Sequence, residues 1–348
     1  MFSSGDKERI VIEVGAGLTK VLVGTSTGKK KRGGAGGESL LIKDTFSLRT
    51  PKGRLPETST YSDMDKTYTP EFDRAALLKE ISEKLRQKKI KAEEVIITVG
   101  DRSVVSREMV LPKVEEDKLK GIVSYELQEF LPIDPKQYLI DFKVVDEVKV
   151  GELDKYKLIV AALPKKEGQF YHGFVQELGK EPFALDLTSN AISKLFDRDL
   201  KINGRVRDLE KETYAYIDIG DASIKLHILE KGILKFTRTI EGGIQNINGA
   251  YEDKILESDE SLDYIRKWIG SLEQMFKFYT SREMNRKIDH IFLYGGGTLI
   301  PNIEKHFSDL TGVSSEIIKE IENVELHKDC AYFPLPLFLN TAASLIRR

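Results

Sequence analysis

A single cysteine, Cys330, excludes any disulfide within the chain and any zinc site built from thiolates, and this sparing use suits a reducing compartment. The five histidines (His172, His227, His290, His306 and His327) are scattered without metal-ligand spacing. No apolar run approaches the roughly 18 residues of a membrane span, and the N-terminal stretch has no signal-peptide core. There is also no excess of one charge. The 54 basic and 56 acidic residues leave a net charge of −2, and the pI near 6.3 argues against nucleic-acid binding. Two short basic runs, Lys29-Lys30-Lys31-Arg32 and Arg347-Arg348, read as a solvated loop and tail. What is present is a chain of 348 residues, 40% hydrophobic and 32% charged, which is the composition of a soluble globular protein with room for two domains.

Strand-period and helix-period segments alternate, so the fold class is α/β. Residues 10–14 and 20–24 read as strands joined by a glycine turn, 28–37 as a glycine- and lysine-rich hairpin tip, 40–49 as a third strand and 50–68 as a polar loop. Thr69-Pro70 has the form of a helix start, and Leu77, Leu78, Ile81 and Leu85 follow at helical spacing. Then come a strand over 94–99, a helix marked by Leu119, Ile122, Val123, Leu127 and Phe130, and strands over 138–145 and 157–163. This block, 93–164, reads as an inserted subdomain. A helix over 166–179, a strand over 183–187 and a helix over 189–197 close the first half. The second half restarts with strands over 214–219, 223–230 and 233–240, then a polar stretch, 244–258. A long helix follows, whose stripe of Leu262, Ile265, Ile269, Leu272, Met275, Phe276 and Tyr279 is core-facing. A strand over 291–294 runs into Gly295-Gly296-Gly297, residues 298–302 open another helix, and 338–346 suit a last apolar one.

One eight-residue pattern occurs twice. It reads Glu13-Val14-Gly15-Ala16-Gly17-Leu18-Thr19-Lys20 near the start and Asp218-Ile219-Gly220-Asp221-Ala222-Ser223-Ile224-Lys225 in the second half. Each copy has a carboxylate, a glycine two residues on and a lysine seven residues on. The copies stand about 205 residues apart, too far for a short-repeat solenoid, and describe a duplicated α/β unit. A glycine turn lets main-chain N–H groups face phosphate oxygens. A carboxylate at a strand end holds Mg²⁺ through water. Glu13 and Asp218 are therefore the metal candidates, and Lys20 and Lys225 the phosphate candidates. Gly15, Thr19, Gly220 and Ser223 complete the turns, and Gly295, Gly296 and Gly297 form a cradle for a base or ribose beside a helix N-terminus. Asp186, at a strand end, is a weaker candidate for orienting water, its alternative being a helix cap. The Walker-like 24–30 stretch has the wrong glycine spacing and no following helix. The 15–20 stretch lacks the third glycine of a dinucleotide fingerprint.

The two turns and the 293–302 stretch resemble the phosphate-1, phosphate-2 and adenosine motifs of the actin-like ATPase superfamily. Within it the chain resembles the PilM family of type IV pilus assembly proteins, relatives of FtsA. The specific stretch is Ser106-Arg107-Glu108-Met109-Val110-Leu111-Pro112-Lys113, continued by Tyr125-Glu126-Leu127-Gln128-Glu129-Phe130-Leu131-Pro132-Ile133 and Asp141-Phe142. The resemblance implies an actin-like (ribonuclease H-like) two-domain fold. Subdomain 1A would take 1–92 and 165–196, an inserted 1C 93–164, and domain 2 197–330, with 331–348 a C-terminal helix returning to 1A. About 50 residues separate Gly243 from Gly295, so subdomain 2B, near 244–285, would be shortened. Glu13 stands where aspartate is common, and Ala16 and Gly17 replace the small hydroxyl residues usual in the first turn.

The function implied is a cytoplasmic scaffold at the inner face of the plasma membrane, with ATP and Mg²⁺ as ligands and at most weak ATPase activity. Its partner would be the N-terminal cytoplasmic peptide of PilN, docked between 1A and 1C, with PilO and the pilus motor ATPase reached indirectly. No nucleic-acid partner is expected, and membrane contact would come only through partners. A nucleotide-free homologue with the same role is the main alternative. A sugar or acid kinase lacks a catalytic base over 44–70, and an FtsA-like filament protein needs an amphipathic anchor, for which Leu345-Ile346-Arg347-Arg348 offers no linker.

Overall fold

A computed structural model describes residues 7–28, 38–53, 72–130, 134–197, 200–247, 259–330 and 332–347. The expected glycine-rich tip, much of the 50–68 loop and the Thr69-Pro70 helix start lie outside the described residues. The chain divides into a compact unit of Gly100–Glu177 and a larger unit built from the residues before and after it.

The larger unit opens with β1 (Arg9–Val14), β2 (Leu18–Gly28), β3 (Glu38–Arg49), α1 (Arg74–Gln87) and β4 (Glu94–Val99). The smaller unit follows with β5 (Val105–Pro112), α2 (Glu116–Phe130), β6 (Tyr138–Val150), β7 (Leu153–Pro164) and α3 (Lys165–Glu177). The chain then returns to the larger unit with β8 (Glu181–Leu187), α4 (Thr188–Leu195), the hairpin β9 (Leu200–Ile202) and β10 (Arg205–Arg207), β11 (Thr213–Ile219), β12 (Ser223–Glu230) and β13 (Ile233–Glu241). It continues through α5 (Asp259–Thr280), β14 (His290–Tyr294), α6 (Ile303–Thr311), β15 (Ser315–Ile317), β16 (Val324–Leu326) and α7 (Leu335–Ser344).

The duplication read from the turns extends to the sheets. One has the order β16-β3-β2-β1-β4-β8, the other β13-β12-β11-β14-β15. Each contains an antiparallel three-strand meander whose first strand, β1 or β11, pairs in parallel with a later one, β4 or β14. Two helices, α4 and α7, share one core with both sheets: Val11, Leu22 and Ile96 from the first, Tyr216 and Phe292 from the second, and Ile192, Phe338, Leu339 and Ala343 from the helices. The other face of the second sheet is closed by α5 and α6 through Ile265, Trp268, Leu272 and Phe307. In α1 the side chain of Asp73 caps the helix by accepting from the Ala76 amide at 3.0 Å, and Leu77, Ile81 and Leu85 are buried one turn apart.

In the smaller unit β5, β7 and β6 form an antiparallel sheet. Met109, Leu111, Leu158 and Val160 on one face pack against Leu119, Val123 and Leu127 of α2.

Three boundaries differ from the sequence reading. β4, assigned there to the head of the insert, pairs in parallel with β1 and β8 and belongs to the larger unit, so the insert begins at Gly100. Its other end is Glu177 rather than 164, because α3 stays with the smaller unit. The C-terminal helix begins at Leu335, ahead of the expected 338, with proline in its first turn. Between β13 and β14 the described residues form one 3₁₀ turn (Ile244–Asn246) and α5, with no strand among them.

Candidate functional site

The seven-residue interval from acid to lysine has a geometric cause. In each hairpin a four-residue loop is closed by a main-chain bond, Gly15 N–H to Leu18 O (3.1 Å) and Gly220 N–H to Ser223 O (3.0 Å). This places Glu13 directly opposite Lys20, and Asp218 opposite Lys225, in the two strand ladders. Directly opposed residues share a sheet face. Each pair accordingly closes an ion pair, Lys20 Nζ to Glu13 Oε2 at 3.1 Å and Lys225 Nζ to Asp218 Oδ2 at 3.3 Å. The glycines are required by the same closure. A Cβ on Gly15 or on Gly220 would lie 2.8 Å from the carbonyl oxygen that the loop brings round, Leu18 O or Ser223 O. Thr19, fully buried, is held by the hydroxyl of Thr50 at 2.9 Å, and that hydroxyl donates onward to Gly15 O at 2.7 Å. The second turn is held from its main chain instead, by Ile244 N–H to Gly220 O and Gln245 N–H to Asp221 O, 3.1 Å each.

The two copies meet at Asn340. From the middle of α7 its side-chain amide donates to Glu13 Oε1 and to Asp218 Oδ2, both at 3.0 Å. The two carboxylates therefore lie within about 6 Å of each other, and both are almost fully buried, as is Asn340. Burial alone pushes the Asp218 carboxyl up. The charges of Lys225 and Lys20, with hydrogen bonds from Asn340 and Lys225, outweigh that penalty and hold it below the usual aspartate range. The other amide atom, Asn340 Oδ1, is buried without a hydrogen-bond partner among the described residues. Sequence reasoning missed Asn340. Its signal was a polar side chain inside the apolar run Leu335–Ser344, a helix buried along most of its length.

The triple glycine lies against the second turn. Gly295 has φ +87°, and a Cβ there would stand 2.3 Å from Asp218 Oδ1; one on Gly297 would stand 2.1 Å from Ile219 Cγ2. Their missing side chains make room for the end of β11. Asp186, the weaker candidate, is tied down instead. Lys194 Nζ lies 2.5 Å from its Oδ2, Asn190 Nδ2 donates at 2.7 Å, and Arg347 approaches to 3.4 Å. Lys194 also donates to the Ile346 carbonyl at 2.7 Å, so Asp186 fastens the end of α7 to α4. It does not occupy the N-cap position of that helix, which is Leu187.

The family model for the type IV pilus assembly protein PilM matches residues 71–260, more than half of the sequence. The chain belongs to the PilM family. Its fold is actin-like. It covers 98% of its own length and 99% of a chain solved in a PilM–PilN type IV pilus biogenesis complex, with a TM-score of 0.72 and 19% identity. A weaker likeness is to the ethanolamine utilization protein EutJ of Carboxydothermus hydrogenoformans, with TM-score 0.46, 11% identity, and 97% and 89% of the two chains covered. A trigger factor of Geotalea daltonii is 30% identical over 147 residues, 42% of this chain and 30% of that protein, so this chain spans under a third of that relative's length.

For a PilM-family chain the donor set at the paired turns fits a hydrated divalent cation. Mg²⁺ binds its water oxygens at about 2.0–2.1 Å and keeps most of them. Two carboxylate oxygens within about 6 Å can both accept from one such hydration shell. Among the described residues no group of three or more His, Cys, Asp or Glu side chains is placed to hold a metal ion. The space a Cβ would take on Gly295 and Gly297 is filled by the end of β11, and on Gly296 by Ile244 Cδ1.

Proposed function

We propose that this chain is the cytoplasmic actin-like scaffold of the type IV pilus assembly platform. It stands at the inner face of the plasma membrane and receives the N-terminal tail of PilN, through which PilO and the pilus motor ATPase are reached. The observation that carries this reading is the family match over 71–260, which spans the whole Gly100–Glu177 insert. The likeness to a chain solved with PilN supports it. In the insert β5 and β6 are the outer strands of the sheet, and an extended peptide can add to such an edge. Among the described residues no helix is long and apolar enough to cross a membrane, so the membrane connection in this reading runs through the partner. A synthetic PilN N-terminal peptide is expected to bind the full chain in calorimetry and to lose that binding when a short Gly/Ser linker replaces residues 100–177. Trp268, the single tryptophan, lies in the larger unit and reports whether that unit still folds. A full chain that ignores the peptide refutes the reading.

The same proposal places Mg–ATP at the paired turns. Glu13 and Asp218 would hold the hydrated Mg²⁺, and Lys20 and Lys225 would balance phosphate charge beside the Gly15 and Gly220 loops with Thr19 and Ser223. ATP bound there would supply phosphate charge to the cluster, with hydrolysis at most slow. Asp218→Ala should abolish Mg–ATP binding in calorimetry while Trp268 fluorescence keeps its native position. One observation favours the nucleotide-free alternative. Each lysine already neutralises its own acid, and one amide spans both acids, so the cluster is electrically complete by itself. A wild-type chain that gives no heat with Mg–ATP decides for that alternative.

A further inference from the structure

Helix α5 carries two stripes. Ile265, Trp268, Ile269, Leu272, Phe276 and Tyr279 are buried against the second sheet. Beside them Gln274, Met275 and Phe278 turn toward β13 and, with Phe236, Arg238 and Ile240 of that strand, line a groove of about 440 Å³. Phe278 is 48% exposed there, a large ring left half in water beside a thioether. β13 is the end strand of its sheet, and among the described residues no strand pairs with its outer side. That side offers main-chain donors and acceptors to an added strand.

Two arginines set the chemistry of the occupant. Arg238 lies over the Phe236 ring at 4.9 Å and Arg282 over the Phe278 ring at 4.3 Å. A guanidinium over a ring still has N–H donors to offer, in the fork that matches a carboxylate. Neither arginine makes an ion pair with another described residue; Arg238 donates only to the neighbouring Thr237 carbonyl, at 2.8 Å. An antiparallel two-fold centred on Arg238 would set the Arg238 side chains of two copies opposite each other, which disfavours a second copy in that register.

We infer that this groove docks an acidic, extended segment of a partner protein. The segment adds as a strand to β13, sets alternate apolar side chains against Met275 and Phe278, and places carboxylates on Arg238 and Arg282. The surface is independent of the PilN reading, which concerns strands of the smaller unit, and of the paired turns.

The chain has five methionines, so selective methyl labelling gives a short spectrum in which Met275 can be followed. The full chain is titrated with a soluble ten-residue peptide alternating valine and glutamate, and separately with its valine–lysine counterpart. The glutamate peptide should move the Met275 methyl signal and the lysine peptide should not. Arg238→Glu with Arg282→Glu should weaken the glutamate peptide at least about tenfold and reverse the preference. Both residues are on the surface, and Trp268 emission verifies that the variant is folded. Equal response to the two peptides, or none to either, overturns the inference. So does a wild-type dimer in sedimentation that Phe278→Glu dissociates, since the occupant would then be a second copy.

Discussion

Asn340→Leu removes a side chain that donates to both halves of the duplicated motif. Two hydrogen bonds to charged acceptors disappear, each worth about 1.5–3 kcal/mol. The variant also removes Asn340 Oδ1, buried without a partner among the described residues, which returns about 1–3 kcal/mol. The net expectation is a loss of about 1–3 kcal/mol at pH 7. The pH dependence is a sharper test. Asp218 is held below its ordinary value of 3.8 in the folded chain. A carboxyl depressed by folding contributes its stability in full above the unfolded value and loses it as pH falls through the folded one. Without the Asn340 bond, one cause of that depression is gone and Asp218 titrates closer to 3.8. The gap between wild type and variant should therefore be widest at neutral pH and narrow as pH drops below about 4. Urea unfolding followed by Trp268 fluorescence, between pH 7 and pH 3, measures it. A variant as stable as wild type at pH 7, or a gap of constant size across that range, refutes the account of Asn340 as the joint between the two carboxylates.

Gly297→Ala forces a methyl to within 2.1 Å of Ile219 Cγ2 in a fully buried contact, which should cost about 1–3 kcal/mol, visible as a lower urea midpoint. Ile219→Val keeps both Cγ2 and Cβ, the atoms in the clash, and should recover none of the loss. Lys194→Met leaves the buried Asp186 carboxylate with the Leu187 N–H, Asn190 and Arg347 and without its closest cation, and should cost about 3 kcal/mol. If Asp186 only fastens α7, the variant's affinity for Mg–ATP stays that of wild type; a large change in that affinity would instead give Asp186 a role at the turns.

The strand meanders and the two turns were legible because a hairpin with a four-residue loop puts residues seven apart face to face, a relation visible along the chain. Asn340 was not legible, since nothing local connects it to residues 327 or 122 positions away. The sequence showed β4 as a strand but not which sheet would take it. That depends on pairing with β1, across more than 80 residues of chain. The insert's edges were misplaced for the same reason. The triple glycine was visible, and a ligand was assigned to the space it leaves. The close approach of β11 to Gly295 and Gly297 is tertiary. On α5 the core stripe was read correctly as packing, but Met275 sits on its margin, and only the position of β13 shows that it faces a groove.

The placement of α7 bears on the order of synthesis. Both hairpins are made long before residue 335 leaves the ribosome. At ordinary elongation rates of 5–20 residues per second, the first of them waits on the order of half a minute for the amide that will sit between its acid and the other. Until then the apolar faces that α7 will cover, with Leu22 on one sheet and later Phe292 on the other, stand without their lid.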